Sequence, residues 1–203
     1  MAKILFMKYD FRKMKLLYLA SIVLFAPLGY VMAYSTENIL SAYSYMLLIS
    51  TIVPTSLFTY EQRADCGFDL MLPAKEGDRI AGRYLISAVT IIYEFLLGTV
   101  IAFILTKTTQ AVWFDISVIF KFFVGGILIC MSIELCILYI IGRGINPQVR
   151  SVMIMLPNMI IWGIASAAIN IFSDKLSSAK GIFSNFEMLG NIVLIVSLIF
   201  YIA

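Results

Sequence analysis

Apolar runs of membrane-spanning length leave this chain few ways to fold. About 20 apolar residues in a helix cross a hydrocarbon core roughly 30 Å thick. Stretches close to that length or beyond it fall at 16–34, 39–60, 84–105, 116–141, 151–172 and 186–203. Backbone N–H and C=O groups in hydrocarbon have no water to bond, and a helix satisfies them within its own segment. Hydrophobic residues make up 62% of the 203 and the mean hydropathy is +0.97, so no room remains for a separate soluble domain. The expected fold is an all-α polytopic membrane protein, a single transmembrane domain over residues 1–203 with six spans at the ranges above. The apolar run 188–203 is short at ~24 Å, so the last span is expected either to start nearer Phe183 or to sit in a locally thinned zone of the bilayer.

Lys and Arg give the orientation. With the N-terminus inside, the inner segments 1–15, 61–83 and 142–150 hold eleven basic residues and the outer half holds four, Lys107, Lys121, Lys175 and Lys180. That bias predicts an N-in, C-in topology. The net charge of +3 follows from this placement and does not point to nucleic acid. The run preceding the first span boundary, 1–15, sets Lys3, Lys8, Arg12, Lys13 and Lys15 among Ile4, Leu5, Met7, Phe11 and Met14. Spacings near three and four predict a short amphipathic helix lying in the interface. No cleavable signal sequence is expected, because the first apolar run is of full spanning length.

One long polar interruption stands out, between spans two and three. Of 15 basic and 12 acidic residues, nine lie between Glu61 and Arg83. Both signs alternate there, which suits water or a protein partner better than a lipid surface. Phe68, Leu70, Met71, Leu72 and Pro73 form an apolar knot within it, and Asp78 is positioned to cap the following helix. Phe68 and Leu72 stand four apart and share a face if the segment is helical.

Much chemistry is excluded. Histidine is absent, which removes Ser–His hydrolysis, HExxH metalloproteases and His-ligated haem. Cys130 and Cys136 are six apart on one predicted helix and Cys66 lies in a loop, so neither a metal site nor a disulfide is expected. No GxxxxGK[ST] phosphate loop occurs, and any ATP used must be bound by another chain.

Charged residues inside the spans are the remaining candidates. Glu94 lies ten residues from the inner end of span three and Glu134 seven from that of span four. Straight helices would set their depths ~5 Å apart. Two roles fit: a proton- or cation-handling pair, or carboxyls that are kept protonated by desolvation, or bonded to Tyr and Ser, and hold helices together. The second is expected. Lys121, five residues inside the outer end of span four, is placed to snorkel.

Two stretches resemble a known family. Asp65-Cys66-Gly67-Phe68, then Leu70-Met71-Leu72-Pro73, then Arg79-Ile80-Ala81-Gly82-Arg83-Tyr84-Leu85 is similar to the loop of ABC-2-type transporter permeases. Leu72-Pro73 and Arg83-Tyr84-Leu85 match that pattern well, while Met71 stands where the family has serine. The turn from Gly144 through Asn146 and Pro147 to Arg150 resembles the family's second inner loop. The resemblance implies the membrane half of an ABC exporter, paired with a second half, identical or related, in the lipid bilayer of a bacterial cell. A separate ATPase subunit would carry ATP and Mg, and this chain would bind no cofactor and catalyse no reaction. Asp65, Phe68, Asp69, Leu72, Pro73, Arg79 and Arg83 would form the coupling surface for that ATPase, with Asn146 and Arg150 in the second loop. Residues 1–15 would form an elbow helix before span one.

Two other classes compete. One is a substrate-binding membrane subunit similar to vitamin-uptake S-components, which the long charged loop disfavours. The other is an intramembrane enzyme built on Glu94 and Glu134.

Overall fold

A computed structural model describes residues 2–52, 56–57, 75–109, 115–141 and 183–202, with single residues at 146, 149, 152, 156, 159, 160 and 163. The elements among them are α1 (Ala2–Ala20), a π turn (Ser21–Phe25), α2 (Ala26–Thr36), α3 (Ile39–Ser50), α4 (Glu76–Thr108), α5 (Ile116–Ile141) and α6 (Phe183–Ile202). Met7–Thr36, Gly77–Thr108 and Ile116–Ile140 are long and apolar enough to cross a membrane. With 20 residues from Phe183 to Ile202, α6 reaches ~30 Å, the first of the two alternatives that its short apolar run left open. Most of the expected fifth span, 151–172, lies outside the described residues.

The N-terminal segment departs from expectation. Residues 1–15 are not a separate elbow: helix runs from Ala2 without a break into the first span. Neither Gly nor Pro occurs before Pro27, so nothing in the sequence ends the helix earlier. Pro27 has no N–H for the Val23 carbonyl and its ring crowds that group. The turn just before it widens instead, with the Ala26 N–H reaching back five residues to the Ser21 carbonyl.

Helix α2 ends on Glu37, which adopts the left-handed conformation (φ 49°). The Asn38 N–H closes back on the Ala33 carbonyl at 3.3 Å, and the Asn38 side-chain oxygen accepts the Leu40 N–H at 2.9 Å. Asn38 thus starts α3 two residues after α2 stops. Asp115 does the same for α5, its carboxylate accepting the Ser117 N–H at 2.9 Å. Asp78, in contrast, is not a cap. Helix α4 already starts at Glu76 behind an extended Lys75, and Asp78 sits in its first turn, where negative charge faces the positive helix end. Arg79 and Arg83, expected in the polar loop, are therefore helical.

Cross-helix contacts give each helix a direction. Asp10–Arg83, Tyr18–Thr90, Ser21–Glu94 and Tyr30–Thr108 ascend together, so the first span and α4 run parallel. Helix α3 runs against both, with Tyr43 bonded to Thr99 and Leu57 packed near Ile86. Phe95 meets Phe120 while Tyr84 packs on Leu135 and Leu138, so α5 is antiparallel to α4. Lys121 pairs with Glu187 and Gly125 faces Val193 and Ser197, making α5 and α6 parallel. The core lies between α2, α3, α4 and α5, around Tyr43, Met46, Phe95, Ile101, Leu105 and Met131.

Close approach of α5 and α6 depends on one glycine. A Cβ on Gly125 would stand 3.0 Å from Val193 Cγ1 and 3.5 Å from the Leu194 backbone, whereas one on Gly126 would meet nothing within 4 Å. Gly125→Leu is therefore expected to cost about 1–3 kcal/mol through overpacking. Gly126→Ala should be neutral or stabilising, by up to ~1 kcal/mol of helix propensity. Thermal denaturation of the two variants in detergent checks the contrast.

Candidate functional site

Polar side chains within the spans converge on the seam between the first span and α4. At its lower end Arg83 Nε lies 3.2 Å from Asp10 Oδ2, each side chain only 7% exposed. Two turns on, the Tyr18 and Thr90 hydroxyls are 2.6 Å apart. The Tyr93 hydroxyl donates to the Tyr18 carbonyl at 3.0 Å, and the two rings meet edge to face. Next comes Ser21, first residue of the π turn, whose hydroxyl lies 2.8 Å from Glu94 Oε1 and 3.1 Å from the Leu17 carbonyl. At the top Tyr30 donates to the Thr108 hydroxyl at 3.1 Å.

Glu94 is fully enclosed, at 0% exposure. Its Oε1 takes the Ser21 hydroxyl while Oε2 is buried without a hydrogen-bond partner among the described residues. A carboxyl bonded to a serine across two helices is the helix-joining arrangement expected for it. Glu134 is also buried, on α5, but it does not join Glu94. The sequence-based depth assumed that Tyr84 and Ile141 lie level. The packing instead sets Tyr84 beside Leu135 and Leu138 and Phe95 beside Phe120. That register separates the two glutamates by ten residues or so along the axis, on the order of 15 Å. That spacing does not bring the two carboxyls together within one subunit. No group of three or more metal-binding side chains occurs among the described residues.

Arg83 requires a second correction. The sequence placed it on an exposed coupling surface, yet it is buried against α1. Its partner is the one acid among the five bases of the N-terminal segment. Arg79, a turn earlier, is half-buried. Lys121 does reach outward, to Glu187 Oε1 at 3.3 Å with side chains 16% and 64% exposed, a pairing worth roughly 0–1 kcal/mol. Its aliphatic stem covers Gly190. Cys130 is buried and Cys136 exposed, both as free thiols. Asn146 is exposed. Asp65, Phe68, Asp69, Leu72, Pro73 and Arg150, like Cys66, lie outside the described residues.

Sequence reasoning missed Asp10, Ser21 and Glu187 as partners. Each pairs with a residue at least 66 positions away, which no local pattern reveals. Asp115 was findable, since an acid directly before an apolar run is an N-cap signal.

Long apolar helices tied by buried polar contacts define an integral membrane protein with no catalytic constellation among the described residues. The chain belongs to the ABC-2 transporter family: a family model described as ABC-2 family transporter protein matches residues 5–203. Membrane subunits of that family are transport components that work with ATPase partners. No curated protein and no solved structure matches the chain.

Two outcomes follow from the seam. Arg83→Met removes the buried guanidinium that faces Asp10 and should cost about 3–5 kcal/mol, while Asp10→Leu with Arg83→Met recovers most of it; unfolding in detergent compares the three proteins. Glu94→Gln keeps an acceptor for Ser21 and should stay within ~0.5 kcal/mol of the parent. Glu94→Leu strands that hydroxyl and should lose ~1–3 kcal/mol.

Proposed function

We propose that this chain is the permease subunit of an ABC exporter that moves an amphiphilic peptide, lipid or drug-like molecule across a bacterial plasma membrane. The family match over residues 5–203 carries the reading. A separate ATPase subunit binds ATP and Mg and grips the charged stretch 61–83, and a second permease half completes the pathway. The topology is N-in, C-in with six crossings. Its support is the Lys and Arg bias together with the helix directions: α5 and α6 run parallel, which agrees with a fifth span between them. An amphiphile is the favoured cargo because the outer connections between the expected spans, at 35–38, 106–115 and 173–185, are too short to fold into a domain that captures a soluble one.

The coupling surface we propose comprises Asp65, Phe68, Asp69, Leu72, Pro73 and Arg79, with Asn146 and Arg150 from the second loop. Arg83 acts behind it, joining the base of α4 to α1. Motion imposed on the loop therefore enters two parallel helices together.

The test is copurification with a candidate ATPase subunit, followed by cargo-stimulated ATP hydrolysis in liposomes. An aromatic anchor amid mixed charges is the usual anatomy of an interface hot spot. Phe68→Ala should weaken association by about 2 kcal/mol, or thirtyfold, and Asp69→Lys by no more than ~1 kcal/mol. Normal association and normal stimulated hydrolysis in Phe68→Ala would remove the coupling assignment.

A further inference from the structure

The N-terminal half of α1 carries a cationic stripe, Lys8, Arg12 and Lys15, with no carboxylate paired to it among the described residues. Asp10 is the only acid in residues 1–15, and it is turned inward, buried against Arg83 at 3.2 Å. Of the basic residues, Lys13 is half-buried with its ammonium 4.4 Å from the Tyr9 ring centroid. Lys8, Arg12 and Lys15 are exposed, and none of them forms an ion pair with a carboxylate among the described residues. Steps of four and three set them on one face of the helix.

That face continues into a stripe that belongs in lipid. Ile4 and Phe11 are exposed between the charges, and Leu16, Leu19, Ile22 and Val23 follow at 71%, 57%, 51% and 60% exposure. Because the helix runs straight through from Ala2 to Ala20, its rise fixes where each charge sits. If hydrocarbon begins near Leu16, Lys15 lies ~1.5 Å and Arg12 ~6 Å outside it, at headgroup depth, with Lys8 ~12 Å out. Lys8 remains close enough to be felt, since the Debye length is about 8–10 Å and its long side chain can reach back.

We propose that Lys8, Arg12 and Lys15 form a binding face for anionic phospholipid headgroups on the leaflet where α1 enters the membrane. The apolar residues Phe11, Leu16 and Leu19 hold the acyl chains alongside. Charge complementarity selects the headgroup: phosphatidylglycerol offers a net negative charge, and phosphatidylcholine does not. The continuous lipid-facing stripe favours a lipid over an acidic protein as the occupant. This inference rests on the membrane-spanning reading of the first helix and is independent of any ATPase.

The test uses the whole chain in micelles with equal amounts of phosphatidylglycerol and phosphatidylcholine, with bound lipids counted by native mass spectrometry. The parent should retain phosphatidylglycerol preferentially. Combined Lys8→Gln, Arg12→Gln and Lys15→Gln should lower that preference by on the order of tenfold or more. Lys8→Arg with Lys15→Arg should keep it, and so should Lys107→Gln at the opposite end of α4. An unchanged preference in the triple variant would overturn the proposal. So would a triple variant that keeps its lipid preference but no longer copurifies with an ATPase, since the face would then belong to a protein partner.

Discussion

The described fold depends on a seam of buried polar contacts that locks the first span to α4 in parallel register. Helices in lipid gain little from hydrophobic burial, because acyl chains are as apolar as leucine. Association instead rests on close packing and on hydrogen bonds that have no aqueous competitor. Asp10–Arg83, Tyr18–Thr90 and Ser21–Glu94 supply such bonds at successive levels. Apolar packing alone tolerates slippage, whereas shifting this pair of helices by one turn would strand several polar groups at once. The remaining helices are then added by fit: α3 through Tyr43 against Gly98, and α6 through Gly125 and Gly190 against α5.

The seam also bears on transmission. Arg83 stands two turns into α4, as the last charge of the stretch 61–83, and Asp10 stands in α1, the helix that continues into the first span. Their ion pair ties α4 to α1 below the π turn. The π turn and Pro27 break the regular bonding of the first span at Ser21–Phe25, level with Glu94. Below this level the two helices are tied by an ion pair and two further hydrogen bonds. Above it the only side-chain bond between them among the described residues joins Tyr30 to Thr108.

What the sequence made legible was whatever depends on near neighbours. The apolar run 116–141 coincides with α5, whereas α1 and α4 begin at Ala2 and Glu76, well ahead of the apolar runs at 16 and 84. Glu94 was read as a carboxyl bonded to a hydroxyl, and Ser21 is that hydroxyl. Long-range pairing was not legible. Arg83 counts as a loop charge in any local window, and only the packed register brings Asp10, 73 positions away, to neutralise it. The same limit produced the misplaced depth of Glu134 relative to Glu94, since nothing local says that Tyr84 lies beside Leu135. The continuity of α1 was readable from the lack of Gly and Pro before Pro27, yet the basic composition suggested an interfacial segment instead.

Parallel register between the first span and α4 is the claim on which the rest stands, and cysteine cross-linking tests it most directly. With Cys66, Cys130 and Cys136 replaced by serine, the pair Tyr18→Cys and Thr90→Cys should form a disulfide under mild oxidation in native membranes. The pair Tyr30→Cys and Thr90→Cys should not, being displaced by over three helical turns, ~18 Å. Efficient cross-linking of the second pair and none of the first would contradict the account.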